Sequence, residues 1–315
     1  MKRILVTGGA GFIGSHLVDK LISNSNQVVV FDNLSSGSLK NLEHLKSNKN
    51  FSFIKGDLLK TEDIEKSLKD VSKVYHIAAN PDVRIGEVDT KTHFEQNIVA
   101  SYNLLEAMRK NDIKKIIFTS TSTVYGDAKI IPTPEEYPTM PISTYGASKL
   151  AVEGMLSSYC HTFGMKAISF RFANVIGSRS DHGVIIDFIK KLKNNPKELE
   201  ILGDGTQNKS YIYIDDCIEG MLFGEEKAKN DFEIFNLGSE DKITVKEIAD
   251  LVSNGLGLKN VKYKFTGGYD GRGWKGDVKF MQLSIEKIKK LGWKPKYSSN
   301  EAVKKAISDL KKLYF

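Results

Sequence analysis

Ile4-Leu5-Val6-Thr7-Gly8-Gly9-Ala10-Gly11-Phe12-Ile13-Gly14 is the stretch that decides the fold. A short apolar run gives way to glycines at 8, 11 and 14, and an apolar-periodic segment then continues through Leu21. That order reads as strand, tight turn and helix. Glycines let a backbone approach a pyrophosphate closely, while N–H groups at a helix start hold its negative charge. The spacing Gly-x-x-Gly-x-x-Gly is a variant of the dinucleotide-binding fingerprint. A second run, Gln27-Val28-Val29-Val30-Phe31, ends at Asp32, whose carboxylate is placed to bind both hydroxyls of an adenosine ribose and to repel a 2′-phosphate. The expected cofactor is therefore NAD in preference to NADP.

Working outward, apolar runs at 3–6, 28–31, 51–54, 72–77, 115–119 and 167–171 alternate with helical segments. Alternation of this kind predicts an α/β chain with a doubly wound parallel sheet. Beyond Asn174 the rhythm loosens. Residues 177–183 read as a loop, the next helix ends near Asn194-Asn195-Pro196, and 200–205 read as strand and turn. Tyr211 to Asp216 leads into a helix, and 244–255 and 300–314 carry helical patterns. The expectation is a Rossmann NAD-binding domain over 1–174 and a smaller mixed α/β substrate domain over 175–315. Part of 209–240 is expected to pack back on the first.

Composition narrows the function. A chain of 315 residues that is 40% hydrophobic can bury a proper core without staples. Cys160 and Cys217 have no Cys-x-x-Cys spacing and read as buried thiols, so neither a disulfide nor a metal site is expected. The sequence runs straight into a strand, and no stretch approaches the roughly 18 apolar residues of a spanning helix. A cytoplasmic protein without a membrane partner is expected. The net charge of +7 comes from lysines scattered along helix faces and not from basic runs interleaved with aromatics. That argues against nucleic acid and suits an anionic small substrate.

Tyr145-Gly146-Ala147-Ser148-Lys149 supplies chemistry. On a helix, residues four apart share a face. A phenol of pKa about 10 is a poor base, and an adjacent ammonium is expected to draw it down toward working pH, where it can take a proton from an alcohol. The run Phe118-Thr119-Ser120-Thr121-Ser122-Thr123-Val124-Tyr125-Gly126 closes the fifth strand, on the side where doubly wound sheets bind ligands. A hydroxyl there can steady the substrate alcohol.

Glycine loop, Asp32, hydroxyl strand end and Tyr-x-x-x-Lys together resemble the extended short-chain dehydrogenase/reductase family, and within it the nucleotide-sugar epimerases of the UDP-glucose 4-epimerase type. Further matching pieces run along nearly the whole chain: Gly56-Asp57-Leu58, His76-Ile77-Ala78-Ala79, Asn97, Arg171 to Gly177, Gly203 to Asp216, Gly276-Asp277 and Leu291 to Pro295. The resemblance implies that Tyr145, Lys149 and Thr121 are catalytic. It implies that Gly8, Gly11, Phe12, Ile13 and Gly14 meet the pyrophosphate, and that Asp32, Asn33, Ser36, Gly37, Asp57 and Leu58 meet the adenosine half. Ala78, Ala79, Asn97, Thr119, Ala173 and again Tyr145 and Lys149 would line the nicotinamide side. Thr121, Tyr145, Asn174, Lys209 and Arg272 would contact a nucleotide sugar, with UDP implied as the nucleotide. His76 reads as a packed histidine.

The departures from the family pattern are informative. Thr121 stands where many relatives have serine. Lys209 stands where an arginine often grips the diphosphate, replacing a bidentate contact by a point charge. Trp274-Lys275 occupies the place of a common Arg-Pro, leaving Arg272 or Lys275 to meet the phosphates. Ser122 and Thr123 fill the places where resembling dehydratases and decarboxylases carry acid–base carboxylates, and neither can do that proton chemistry. Oxidation without such a partner leaves a ketone to be reduced again, so C4 epimerisation is the expected reaction. The alternatives are net dehydrogenation or dehydration of a nucleotide sugar, and a non-catalytic dinucleotide sensor, which would be expected to lose Tyr145 or Lys149. Phe94, Ile98, Tyr102, Leu105 and Met108 between Thr92 and Lys110, and Leu150, Val152, Met155, Leu156 and Tyr159 after Tyr145, are more apolar positions than one core-facing helix stripe requires. The resemblance implies that these two helices meet their mates in the four-helix bundle of a homodimer.

Overall fold

A computed structural model describes residues 3–315. The chain forms two compact units. The first comprises residues 1–124, 144–171 and 222–235, and the second residues 125–143, 172–221 and 236–315. Both are discontinuous in sequence, so the stretches 125–143 and 222–235 cross the single cut at 174/175 read from the sequence.

In chain order the first half contains β1 (Arg3–Thr7), α1 (Phe12–Ser23), β2 (Val28–Asp32), β3 (Phe51–Lys55), α2 (Thr61–Ser67), β4 (Val71–His76), α3 (Thr90–His93), α4 (Ala100–Lys110), β5 (Lys115–Thr121), α5 (Thr144–Phe163) and β6 (Lys166–Phe172). The second half contains β7 (Asn174–Ile176), α6 (Val184–Asn194), β8 (Glu198–Ile201), β9 (Asn208–Lys209), β10 (Tyr211–Tyr213), α7 (Ile214–Lys227), β11 (Phe232–Leu237), β12 (Ile243–Thr244), α8 (Val245–Gly255), β13 (Lys262–Phe265), β14 (Phe280–Met281), α9 (Glu286–Lys290) and α10 (Ser299–Tyr314).

The main sheet has seven strands in the order β11-β6-β5-β4-β1-β2-β3. Pairing is parallel between β1 and both β2 and β4, between β2 and β3, and between β4 and β5. Crossover helices cover a parallel sheet on both faces, which is why β2 reads Val-Val-Val-Phe-Asp with every residue buried. This is the doubly wound sheet expected from the alternation. Leu5, Val29, Phe118, Leu104, Met108, Val152 and Leu156 join one apolar core in the first unit.

The stretch that carries Phe94, Ile98, Tyr102, Leu105 and Met108 is not one uninterrupted α-helix. Phe94–Val99 form a π-helical turn between α3 and α4. Such turns cluster at functional sites. Part of the expected apolar surplus is also used within the unit: Leu105, Met108, Val152 and Leu156 are buried in its core, whereas Phe94 and Tyr102 stay 57% and 49% exposed.

In the second unit β7 pairs with β10 and β8 with β13, both in parallel, while β9 lies between β12 and β14. Its core comes from the apolar faces of α6, α8 and α10, with Ile189, Leu192, Val252, Ala306 and Leu310 buried. Thr244 and Ser298 each start a helix with a reciprocal capping box, to Glu247 and Glu301. Among the described residues no helix is long and apolar enough to cross a membrane.

Candidate active site

The glycine turn follows β1, where the strand order reverses between β1 and β4; in open α/β sheets this switch point is where ligands bind. Gly8 has φ +69°, and a Cβ there would stand 2.6 Å from the Ala78 nitrogen. A Cβ on Gly14 would overlap the Gly8 carbonyl oxygen and lie 2.8 Å from Gly9 Cα. These two glycines close the turn. Gly11 differs, because a Cβ there would meet only the Gly8 oxygen at 3.3 Å. It also caps α1 without a side chain, so no capping oxygen takes the first-turn N–H groups. Phe12 and Ile13, half-buried, open the helix.

Asp32 ends β2 buried, with Oδ2 accepting from Ala10 N at 2.9 Å and Oδ1 from Leu34 N at 2.8 Å. Each oxygen keeps a second lone pair, so the two bonds aim the carboxylate without exhausting it. Asn33 and Ser36 are exposed beyond it, and a Cβ on Gly37 would press on Ala10. Asp57 folds its own turn through Leu59 N at 2.9 Å, and Leu58 is buried, receiving Asn103 Nδ2 on its carbonyl. Ala78 and Ala79 follow β4 half-buried. All of these expected cofactor residues belong to the first unit.

His76 is the packed histidine expected. Nδ1 meets Thr7 Oγ1 and Nε2 meets Ser101 Oγ, each at 2.8 Å. Because Ser101 donates its only hydroxyl hydrogen to the Asn97 carbonyl, it accepts from Nε2–H. The ring is thereby fixed as one neutral tautomer, and burial, helped by Lys149, pushes its pKa down to about 3.

Lys149 lies 2% exposed on α5, with Nζ 2.8 Å from the Thr119 carbonyl oxygen and 4.7 Å from the Phe118 ring centroid. The end of β5 therefore anchors the ammonium. Burial pushes its pKa down to about 7, and Glu153, one turn further along α5, works in the opposite direction. Glu153 is itself held by Arg171, Nε to Oε1 at 3.0 Å and Nη2 to Oε2 at 2.6 Å. Tyr145 departs from the sequence expectation. Its phenol is not drawn down by Lys149 but pushed up to about 12 by burial. Desolvation penalises the phenolate, and a lysine that is only partly charged near neutral pH offsets too little of that cost.

Thr121 Oγ1 accepts from Thr123 N and lies 3.1 Å from Thr123 Oγ1. If Thr123 donates, the Thr121 hydrogen is left for a substrate oxygen. Asn97 bonds Asn80 N through Oδ1 at 2.7 Å and Ser148 Oγ through Nδ2 at 2.9 Å.

In the second unit, Ala173 is buried with its N–H on the Leu237 carbonyl, and Asn174 gives Nδ2 to the Ser210 carbonyl at 3.1 Å. The expected phosphate cations are already paired. Lys209 Nζ lies 2.5 Å from Asp277 Oδ1 and 5.6 Å from the Trp274 ring centroid. Arg272 forms a two-pronged pair with Asp127 and gives Nη1 to the Asp277 carbonyl at 2.6 Å. Lys275 is exposed. Asp277 thus gathers Lys209 and Arg272 into one cluster.

A sequence model of the NAD dependent epimerase/dehydratase family matches residues 4–238. The chain belongs to that family. Among the epimerase/dehydratase proteins it is 36% identical over 315 residues to a putative UDP-glucose 4-epimerase of Methanocaldococcus jannaschii, covering 98% of each chain. It is 43% identical to the crystal structure of a UDP-galactose 4-epimerase, with a TM-score of 0.88 over 99% of this chain and all of the other. It is 32% identical to the Thermus thermophilus UDP-glucose 4-epimerase solved with NAD, with a TM-score of 0.86 over 98% of this chain and 99% of the other. The resemblance drawn from the sequence is thereby borne out. The cofactor of this epimerase/dehydratase chain is NAD, and the open Gly11 side of the turn with the aimed Asp32 carboxylate fits it.

Sequence reading did not single out His93, Ser148 or Asp127. His93 stands four residues before Asn97, a helical spacing that was the only local signal. Nothing local marks Asp127 as the partner of an arginine 145 residues away.

Proposed function

We propose that this chain is an NAD-dependent nucleotide-sugar 4-epimerase acting on a UDP-sugar of the glucose/galactose type. One observation carries the reading: Lys149, one helical turn after Tyr145 on α5, is anchored at the end of β5, which leads into a turn that bears hydroxyls and no carboxylate. Tyr145 takes the proton of the C4 hydroxyl, Thr121 holds that oxygen, and the Lys149 ammonium, one helical turn from Tyr145, offsets part of the cost that burial sets on the phenolate. The glycine turn and Asp32 would hold NAD, which would supply the acceptor and later the donor of the C4 hydride. The sugar is left as a ketone. Ser122 and Thr123 can neither expel water nor assist loss of carbon dioxide, so the ketone turns about its bond to the diphosphate and is reduced on its other face. Lys209, Arg272 and Asn174 are the proposed nucleotide-sugar contacts. The names of the relatives support a UDP-sugar.

The test is turnover of UDP-sugars deuterated at C4, followed by proton NMR. Retention of the label in the C4 epimer without added NAD is expected. Label in a free NADH pool, or a product lighter by water or carbon dioxide, would refute epimerisation and leave the family assignment standing.

We also propose a homodimer through the π turn with α4 and through α5, the four-helix bundle that the resemblance implies. The support is the exposure of Phe94 and Tyr102 and the half-buried Ile98, Leu150, Met155 and Tyr159. A monomeric mass by light scattering at micromolar concentration would refute it. Cys160 and Cys217, both free and buried, support a reducing, cytoplasmic setting, which fractionation of the source cells tests.

A further inference from the structure

A pair of hydrogen bonds straddles Tyr145 within the first unit. His93 closes α3, and Asn97 follows four residues later in the π turn; Thr144 and Ser148, also four apart, open α5. His93 Nδ1 and Thr144 Oγ1 are 2.8 Å apart, and Asn97 Nδ2 donates to Ser148 Oγ at 2.9 Å. Between these bonds the Tyr145 ring meets the His93 ring edge-on, with centroids 5.7 Å apart at 61°.

The protons on His93 can be assigned from its partners. Nε2 lies 3.0 Å from the Asp82 carbonyl oxygen, which can only accept. Nε2 therefore carries hydrogen, and in the neutral ring Nδ1 accepts from the Thr144 hydroxyl. Burial holds the His93 pKa below the usual histidine range and keeps the ring in that neutral form, against the pull of Asp82 and Asp89. Gly86 seals the arrangement, since a Cβ there would overlap Thr144 Oγ1 and lie 3.1 Å from His93 Nδ1. The first turn of a helix has few bonds of its own and frays unless held from outside. Tyr145 sits in that first turn. His93 is half of what holds it.

We propose that His93, acting through the Thr144 hydroxyl, is a positioning residue for Tyr145: with the Asn97–Ser148 bond it clamps the start of α5 so that the phenol keeps one buried orientation. A satisfied core histidine would stabilise the fold and do nothing more. The clamp instead predicts that losing one hydroxyl changes the behaviour of Tyr145. The proposal rests on the reading of Tyr145 as the acid–base group, and the experiment separates the two.

NAD-loaded enzyme carrying ring-labelled tyrosine is titrated by carbon-13 NMR, the Tyr145 signal being assigned by its loss in Tyr145→Phe. Thr144→Val keeps the shape and removes the hydroxyl, Thr144→Ser keeps the hydroxyl, and His93→Phe keeps a ring. Thr144→Val and His93→Phe are each expected to lower the Tyr145 midpoint by half a pH unit or more, as the loosened phenol gains water. They should also cut kcat for UDP-galactose about tenfold with KM within twofold of wild type. Thr144→Ser should match wild type on both readouts, and the double variant should lose no more than the worse single one, as for groups acting as a unit. An unmoved midpoint in Thr144→Val, or losses that add in the double variant, would overturn the clamp. Full activity in Tyr145→Phe would instead refute the catalytic reading, and the midpoint would still report on the clamp.

Discussion

Arg272 and Asp127 meet through both pairs of atoms, Nη1 to Oδ1 and Nη2 to Oδ2, at 2.9 Å each. A guanidinium fork that matches a carboxylate matches a phosphate in the same way. Together with the Lys209–Asp277 pair, the cluster holds two positive and two negative groups and no net charge. A diphosphate entering it competes with Asp127 for the same fork. We expect Asp127→Asn to bind UDP at least threefold more tightly by isothermal titration, and Arg272→Ala at least tenfold more weakly. Weaker binding in Asp127→Asn would show that the carboxylate orients Arg272 and does not compete for it.

Tyr145→Phe removes only the phenolic oxygen. Its fold should persist, with turnover reduced on the order of 10²–10⁴, the usual worth of a positioned acid–base group. Activity within threefold of wild type would take Tyr145 out of the chemistry. Lys149→Met removes the cation that offsets burial of the phenolate, so the pH optimum of kcat should move to higher pH and NAD should be retained less well. An unchanged pH profile would detach Lys149 from Tyr145.

Asp32 presents both oxygens from backbone anchors at Ala10 and Leu34. A 2′-phosphate placed against them is repelled, and discrimination above about 1.4 kcal/mol, a tenfold ratio, is expected for NAD over NADP. Asp32→Ala should narrow that ratio, mainly by weakening NAD. Equal binding of the two cofactors to the wild-type apoprotein by fluorescence titration would contradict this role.

His76 links stability to pH. Its folded pKa of about 3 lies below the ordinary histidine value of 6.5, so between those values the unfolded chain binds the extra proton. The stability held above pH 6.5 is therefore lost as pH falls through that window. From pH 7 to 5 the loss through this one group comes to about 2 kcal/mol. His76→Gln should be less stable than wild type at pH 7, yet its urea midpoint should fall by less between pH 7 and 5. Parallel lines for the two proteins would show that His76 is not buried neutral.

The sequence by itself determined what depends on spacing along the backbone. A helix places Tyr145 and Lys149 on one face, a strand end places Asp32 beside the first turn, and the glycines at 8 and 14 admit no Cβ, so these features were legible without coordinates. Tertiary structure decided the partners. Arg272 finds Asp127 from 145 positions away and His93 finds Thr144 across 51. It also decided the ionisation of the site, because the depth of burial around Tyr145 and Lys149 outweighs the attraction that their spacing promised. Local periodicity is a property of the chain, whereas desolvation and ion pairing depend on everything that folds around it.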